Sequence, residues 1–326
     1  MLPIIDLASP AAADSIDKAC RQFGFFAISN HGVSDDLRAA VLAAAVDFFG
    51  RCPDEKERVA LTHAGPAWRG WFPLGDELTS GVADLKEGYY FGRELPADPR
   101  PMHGPNIWPS EPSSFRPLIT QWMATMEPLA QRVLSLMAEG LGLAHDFFRR
   151  DLTADPTPLF RIFRYPPHPP DSDDRWGVAE HSDYGLLTLL AHDGTAGLQV
   201  KVGDEWIDAP HDPQLIICNL GDMLDRLTAG RYRSTPHRAR NASPTDRYSL
   251  PFFLDPGWSA IVDPRDLDDA LDDDWVAPAD ADQRWDRANL RELSGTYGEW
   301  LTAKVSKVFP QLAEVLTNRA ASPVSD

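Results

Sequence analysis

Leu186-Leu-Thr-Leu-Leu-Ala191 is an apolar run of six residues, preceded by Gly185 and followed closely by Asp193-Gly194. It is too short for a stable helix and has the length of a buried strand. Four runs of similar character flank it at residues 159–165, 197–200, 214–219 and 247–254, with Gly and Asp turns between them. Many short strands at such spacing predict a sandwich or closed barrel rather than a parallel α/β sheet.

Upstream the pattern changes. Residues 4–7 and 25–29 read as strands. Helices are expected from Asp14-Ser15 to Gln22 and, capped by Ser34, to about Phe49. Residues 65–112, rich in Gly, Pro and aromatics, read as a long irregular region. Residues 115–143 predict a helix that buries Leu118, Trp122, Leu129, Val133, Leu136 and Met137, with a kink at Pro128. A last helix is expected over 296–308. No linker-like composition divides the chain, so residues 1–326 read as one domain. Its helical N-terminal region (1–115) wraps a β-rich core (156–258).

The 326 residues are 43% hydrophobic and 25% charged, enough to bury a sizeable core, and carry a net charge of −18. Such acidity argues against nucleic acid and anionic membranes as partners. No apolar run is long enough for a membrane span, and the start of the chain lacks a basic signal-peptide region. Three scattered cysteines (Cys20, Cys52, Cys218) fit a reducing, cytoplasmic location.

The first chemical signal is His181-Ser-Asp183. Residues i and i+2 of a strand share a face, so an imidazole and a carboxylate can grip one ion together. His237 is the candidate third ligand. Two histidines and a carboxylate form the facial triad of non-haem Fe(II) oxygenases and leave coordination positions open. Taken alone, the spacing also suits an ordinary surface histidine, or a zinc hydrolase. The second signal is Arg247-Tyr-Ser249, where a guanidinium and a hydroxyl on one face make a clamp for a carboxylate. The apolar run 250–254 beside Arg247 predicts that its base is buried, and a buried cation needs an anion. Tyr165 can add a phenol donor.

These residues carry a wider resemblance. The chain resembles the isopenicillin N synthase-like group of Fe(II)- and 2-oxoglutarate-dependent oxygenases over nearly its whole length. The blocks that match are Pro3-Ile-Ile-Asp6, Phe23-Gly-Phe-Phe-Ala-Ile-Ser-Asn-His-Gly32, Asp84-Leu-Lys-Glu-Gly88 and Glu180-His-Ser-Asp-Tyr-Gly-Leu-Leu-Thr-Leu189. They continue in family order with Gly197-Leu-Gln-Val200, Asn219-Leu-Gly-Asp222, Gly230-Arg-Tyr-Arg-Ser-Thr-Pro-His237 and Arg247-Tyr-Ser-Leu-Pro-Phe-Phe253.

The resemblance implies a mainly β fold, a double-stranded β-helix (jelly-roll) core flanked by helices. It implies Fe(II) held by His181, Asp183 and His237, and 2-oxoglutarate held by Arg247, Ser249 and Tyr165. O2 is consumed, succinate and CO2 are released, and a small molecule is oxidised, hydroxylation being the default. Arg161, Phe253 and Asp255 fall where relatives contact substrates. The aromatic loop 68–73 adds Trp71 as a candidate wall. The chain departs from the family at Phe163, where Asn is common, and at His192, where Gln is common. A 2-oxoglutarate-independent oxidase like isopenicillin N synthase itself, and a non-enzymatic binding module, are the other readings. Nothing in the sequence specifies an oligomer.

Charge is uneven along the chain. Residues 263–286 hold ten Asp and two Arg and read as a solvated loop, whereas residues 226–247 hold six Arg and one Asp and lead to the proposed clamp.

Overall fold

The computed structural model describes residues 1–79, 81–168, 175–263, 267, 290 and 293–321. The acidic run expected to be a solvated loop lies almost wholly outside these residues.

The chain opens with β1 (Ile4–Asp6), α1 (Ala12–Gln22), β2 (Phe25–Ser29), α2 (Asp35–Phe49) and α3 (Pro53–Glu57). Then come β3 (Gly70–Phe72), the small hairpin β4 (Leu78–Thr79) and β5 (Val82–Ala83), and β6 (Glu87–Gly92). The long helix α4 (Phe115–Gly140) and α5 (Phe147–Asp151) precede the core strands. These are β7 (Thr157–Tyr165), β8 (Val178–His181), β9 (Leu187–His192), β10 (Leu198–Val202), β11 (Glu205–Asp208) and β12 (Ile216–Leu220). After α6 (Asp222–Leu227) come β13 (His237–Ala239), β14 (Arg247–Asp255), α7 (Tyr297–Val308) and α8 (Pro310–Ala321).

Eight strands form the major sheet in the order β1-β2-β12-β9-β14-β7-β6-β3, and β11-β10-β13-β8 form the minor sheet. Apart from the β1–β2 edge, the pairs in these two sheets are antiparallel. This is the two-sheet jelly-roll core that was expected, with helices packed on it.

The five predicted runs are all strands. The expected division into a helical half and a β-rich half is too sharp, because β1, β2, β3 and β6 from the first hundred residues complete the major sheet. Residues 65–112 are therefore not simply irregular. Gly70-Trp-Phe72 and Glu87-Gly-Tyr-Tyr-Phe-Gly92 are buried along their whole lengths. They show no polar alternation from which a strand could be read.

Helix α4 runs as one helix through Pro128 and buries Trp122, Leu129, Val133 and Met137 as expected. Its buried stripe also takes in Ile119, Met126 and Leu134, while Leu118 and Leu136 sit at its margin. Thr296 caps α7 with a capping box to Glu299.

Register decides which side chains meet. Across an antiparallel pair, directly opposed residues share a face, and every second residue along a strand repeats it. On β14, Arg247 stands level with Tyr165, Ser249 with Phe163 and His192, and Phe253 with Leu159 and Thr188. On the flanking strands, Gly88 stands level with Phe163, Tyr90 with Arg161, and Asn219 with Thr188. The inner face of the major sheet is thus a ladder of rows two residues apart, running from Arg247 and Tyr165 at one end to Thr188 and Asn219 towards the other.

Candidate metal centre and anion clamp

His181 ends β8 and His237 begins β13, and the two residues are directly paired in the minor sheet. Their rings lie 4.2 Å apart, centroid to centroid. Asp183 is not on the strand with His181 but in the turn that follows it, which carries the carboxylate in from the side. Its Oδ1 lies 4.0 Å from His181 Nε2 and 3.8 Å from His237 Nε2. One ligand atom from each residue falls within 4.8 Å of the others, the spacing of a single-ion site.

Each candidate ligand is oriented by a second bond. His181 Nδ1 meets the Ala179 carbonyl at 2.8 Å and His237 Nδ1 meets the Thr235 carbonyl at 3.1 Å. A carbonyl can only accept, so Nδ1 carries the proton and Nε2 presents its lone pair to the centre. Asp183 Oδ2 accepts from Thr188 Oγ1 and, at 2.6 Å, from Asn219 Nδ2, leaving Oδ1 to face the imidazoles.

The turn is pinned in place. Asp222 N donates to the Asp183 carbonyl at 2.8 Å, and Gly221 N donates to the Leu186 carbonyl at 3.0 Å. A Cβ on Gly221 would meet the Gly185 carbonyl oxygen at 2.3 Å, so only glycine admits this approach. Burial lowers both histidine pKa values, His237 to about 4, so both imidazoles are neutral ligands at neutral pH. Burial alone would raise Asp183, but His237, His181 and the two donors outweigh it and keep the carboxylate ionised.

A cavity of about 1220 Å³ opens from this centre along the ladder. Arg247 lines it while only 2% exposed. Its Nε donates to the Thr195 carbonyl at 3.3 Å and its guanidinium lies 4.8 Å from the centroid of the Tyr165 ring. Its Nη1 is buried with no hydrogen-bond partner among the described residues. The Ser249 and Tyr165 hydroxyls are 3.5 Å apart beside it. A buried cation with an unused donor and two nearby hydroxyls fits a carboxylate. Of the six arginines in 226–247, only Arg247 lines the cavity. Arg226 instead caps the carbonyls of Val262, Leu290 and Leu293, and Arg238 lies between Trp176 and Trp206.

The substrate-side candidates divide. Arg161, Phe253 and Asp255 line the cavity. Burial pushes the Asp255 carboxyl up to about 7, and the Tyr297 hydroxyl donates to it. Trp71 does not line the cavity. It is a core residue whose indole N–H donates to Glu87 Oε2 at 2.8 Å, beside Lys56. Residues that were not site candidates also line the wall: Glu77, Lys86 of the matched block 84–88 and Tyr90, with Leu301, Val305 and Val308 of α7. Period-2 alternation through Lys86-Glu-Gly-Tyr-Tyr90 would have placed Lys86 and Tyr90 on one face, had residues 86–90 been read as a strand.

Comparison with known proteins agrees with this geometry. Residues 2–111 match the family described as non-haem dioxygenase in morphine synthesis N-terminal, and residues 156–256 match the 2OG-Fe(II) oxygenase superfamily. A Dictyostelium discoideum chain described as an iron/ascorbate oxidoreductase is 36% identical, with 95% of each chain covered. A 1-aminocyclopropane-1-carboxylate oxidase of Dictyostelium mucoroides is 34% identical over the same shares. The crystal structure of a 2OG-Fe(II) oxygenase family protein from Caulobacter crescentus superposes with a TM-score of 0.77 at 26% identity, covering 94% of this chain and 99% of that one. The fold, the His-Asp-His cluster and these relatives together show that the chain belongs to the 2OG-Fe(II) oxygenase superfamily, in its isopenicillin N synthase-like branch, and is a 2-oxoglutarate/Fe(II)-dependent dioxygenase.

Proposed function

We propose that this dioxygenase hydroxylates a C–H bond of a small organic acid, with iron held by His181, Asp183 and His237 and 2-oxoglutarate anchored by Arg247, Ser249 and Tyr165. The carrying observation is the buried, unpartnered Nη1 of Arg247, in one cavity with three convergent metal-ligand atoms. Iron, 2-oxoglutarate and O2 supply the oxidising power: one oxygen atom goes to the substrate, the other to succinate, and CO2 leaves.

The protein's own residues bind and orient. Arg247 and the two hydroxyls hold the far carboxylate of the 2-oxo acid, and the Asp183 Oδ2 bonds keep Oδ1 aimed at the metal. The apolar walls from β7, β14 and α7 exclude water from the reacting centre. Arg161 supports the acid reading. It is 8% exposed and stacked 3.4 Å from the Tyr90 ring centroid and 5.6 Å from that of Phe253. It has no carboxylate within ion-pair distance among the described residues. The substrate named for the Dictyostelium oxidase is a small carboxylic acid, in agreement.

One catalytic unit spanning residues 1–326, acting in the cytoplasm, completes the reading. Cys20, Cys52 and Cys218 are all free thiols, as a reducing compartment favours. Among the described residues no helix is long and apolar enough to cross a membrane. The test is succinate formed from 2-oxoglutarate by the Fe(II)-loaded protein under air. Its absence, with and without candidate acids, would overturn the proposal and favour the 2-oxoglutarate-independent oxidase.

A further inference from the structure

Opposite charges sit on the substrate wall of the cavity without meeting. Lys86, 1% exposed, is held by two carboxylates: Glu77 Oε2 at 2.7 Å, and Asp84 in an even closer contact. Burial raises the Asp84 carboxyl to about 6, which leaves it ionised at neutral pH. Two carboxylates on one ammonium leave one negative charge over.

Across the ring of Tyr90 lies Arg161, with one positive charge over. The Tyr90 hydroxyl donates to Glu77 Oε1 at 2.7 Å, while the Arg161 guanidinium stacks on the face of the same ring. Glu77 therefore sits at the hydroxyl of this phenol and Arg161 against its face, both lining the cavity, with no ion pair between them within 4.0 Å among the described residues. Burying opposite charges and keeping them apart forgoes the attraction that would offset their desolvation. A ligand that reaches both restores it. A plain carboxylic acid would satisfy Arg161 and leave the acidic side in excess, and a plain amine would do the reverse.

We propose that the substrate is a zwitterionic amino acid, its carboxylate on Arg161 and its ammonium on Glu77. Its side chain then runs along the apolar wall of Leu301, Val305 and Val308. This deepens the organic-acid reading above and rests on it.

The test offers the Fe(II)- and 2-oxoglutarate-loaded protein the twenty proteinogenic L-amino acids. Each is paired with the carboxylic acid that lacks its amine and the amine that lacks its carboxylate, and succinate release is measured. The visible charge-transfer band of the anaerobic Fe(II)–2-oxoglutarate complex is recorded first. Its absence refutes the cosubstrate reading, and with it the ground of this one. With the band present, at least one amino acid should stimulate succinate release about ten-fold or more over its amine-free acid, as a lost charge-assisted bond requires. Equal or better stimulation by the amine-free acid, or none by any amino acid, overturns the proposal. In Glu77→Gln the preference for the amino acid over its amine-free acid should collapse while the band persists. A merely structural loss would lower both rates in proportion, and that outcome counts against the ammonium contact.

Discussion

Asp183 reaches the metal centre with one oxygen already committed. Thr188 and Asn219 hold Oδ2, so the free oxygen and both Nε2 atoms converge before any ion arrives. Asn219→Ala should weaken Fe(II) binding about 10- to 100-fold, as loss of an orienting partner commonly does. Anaerobic titration measures it, and unchanged affinity would show that Thr188 suffices. At the other end of the cavity, Arg247→Ala should raise the KM for 2-oxoglutarate at least roughly thirty-fold, because it removes a buried charge-assisted contact.

Asp255 gives a pH signature. Folded, its carboxyl holds a proton up to about 7, against an ordinary value of 3.8. That preference stabilises the fold below the ordinary value and is lost as pH rises through 7. Metal-free Asp255→Asn should therefore gain stability relative to wild type between pH 5 and pH 8, by a few kcal/mol at most. Urea unfolding at both pH values reads it, and a parallel shift of the two proteins would refute it.

Single residues were legible where the chemistry is local in sequence. His181-x-Asp183 and Arg247-x-Ser249 could be read because each partner lies two positions away. Glu77 and Arg161 could not be paired with Tyr90 by such spacing, since the β6–β7 register brings Tyr90 and Arg161 together. Trp71 was read as a pocket wall from its aromatic neighbours, but an indole N–H can equally satisfy a buried carboxylate, and Glu87 is that carboxylate.

Among the elements, α7 forms part of the cavity wall with Leu301, Val305 and Val308. The helix was expected over 296–308, and its start is held by the reciprocal bonds of a capping box between Thr296 and Glu299. Thr296→Ala should cost about 1 kcal/mol of stability, measured by denaturant unfolding. No change would mean that the helix is held by packing alone. Directly after α7, Phe309 packs against Trp68, Phe72 and Tyr90 at 5.3–5.7 Å between centroids. The strands β3 and β6 that present Phe72 and Tyr90 were not legible in the sequence. Strand periodicity is visible only when one face is wet, and theirs are not.

At the scale of the whole molecule, stability and metal binding are separable. The largest apolar cluster runs from α1, α2 and α4 through the major sheet to α7, and none of its members is a metal ligand. Removing iron with a chelator should leave the fold intact, and activity should return when Fe(II) is restored. Circular dichroism before and after chelation checks this, and cooperative unfolding on chelation would contradict it. The two-layer β architecture was legible from five apolar runs, because strand length and turn residues are local properties. That the first hundred residues supply four strands of the same sheet was not, because pairing over such separations leaves no local trace.

The ladder also acts as a ruler. Ser249 and Phe253, the rows that mark the anion clamp and the Asp183 cradle, are four residues apart on one strand, about 13 Å of extended backbone. A hydrogen-bonded sheet neither stretches nor shortens to suit its guest. We therefore expect the sheet to fix the spacing against which the length of the 2-oxo acid is read. Diacids one carbon shorter or longer than 2-oxoglutarate should be poor cosubstrates, and no substitution confined to the clamp should rescue them.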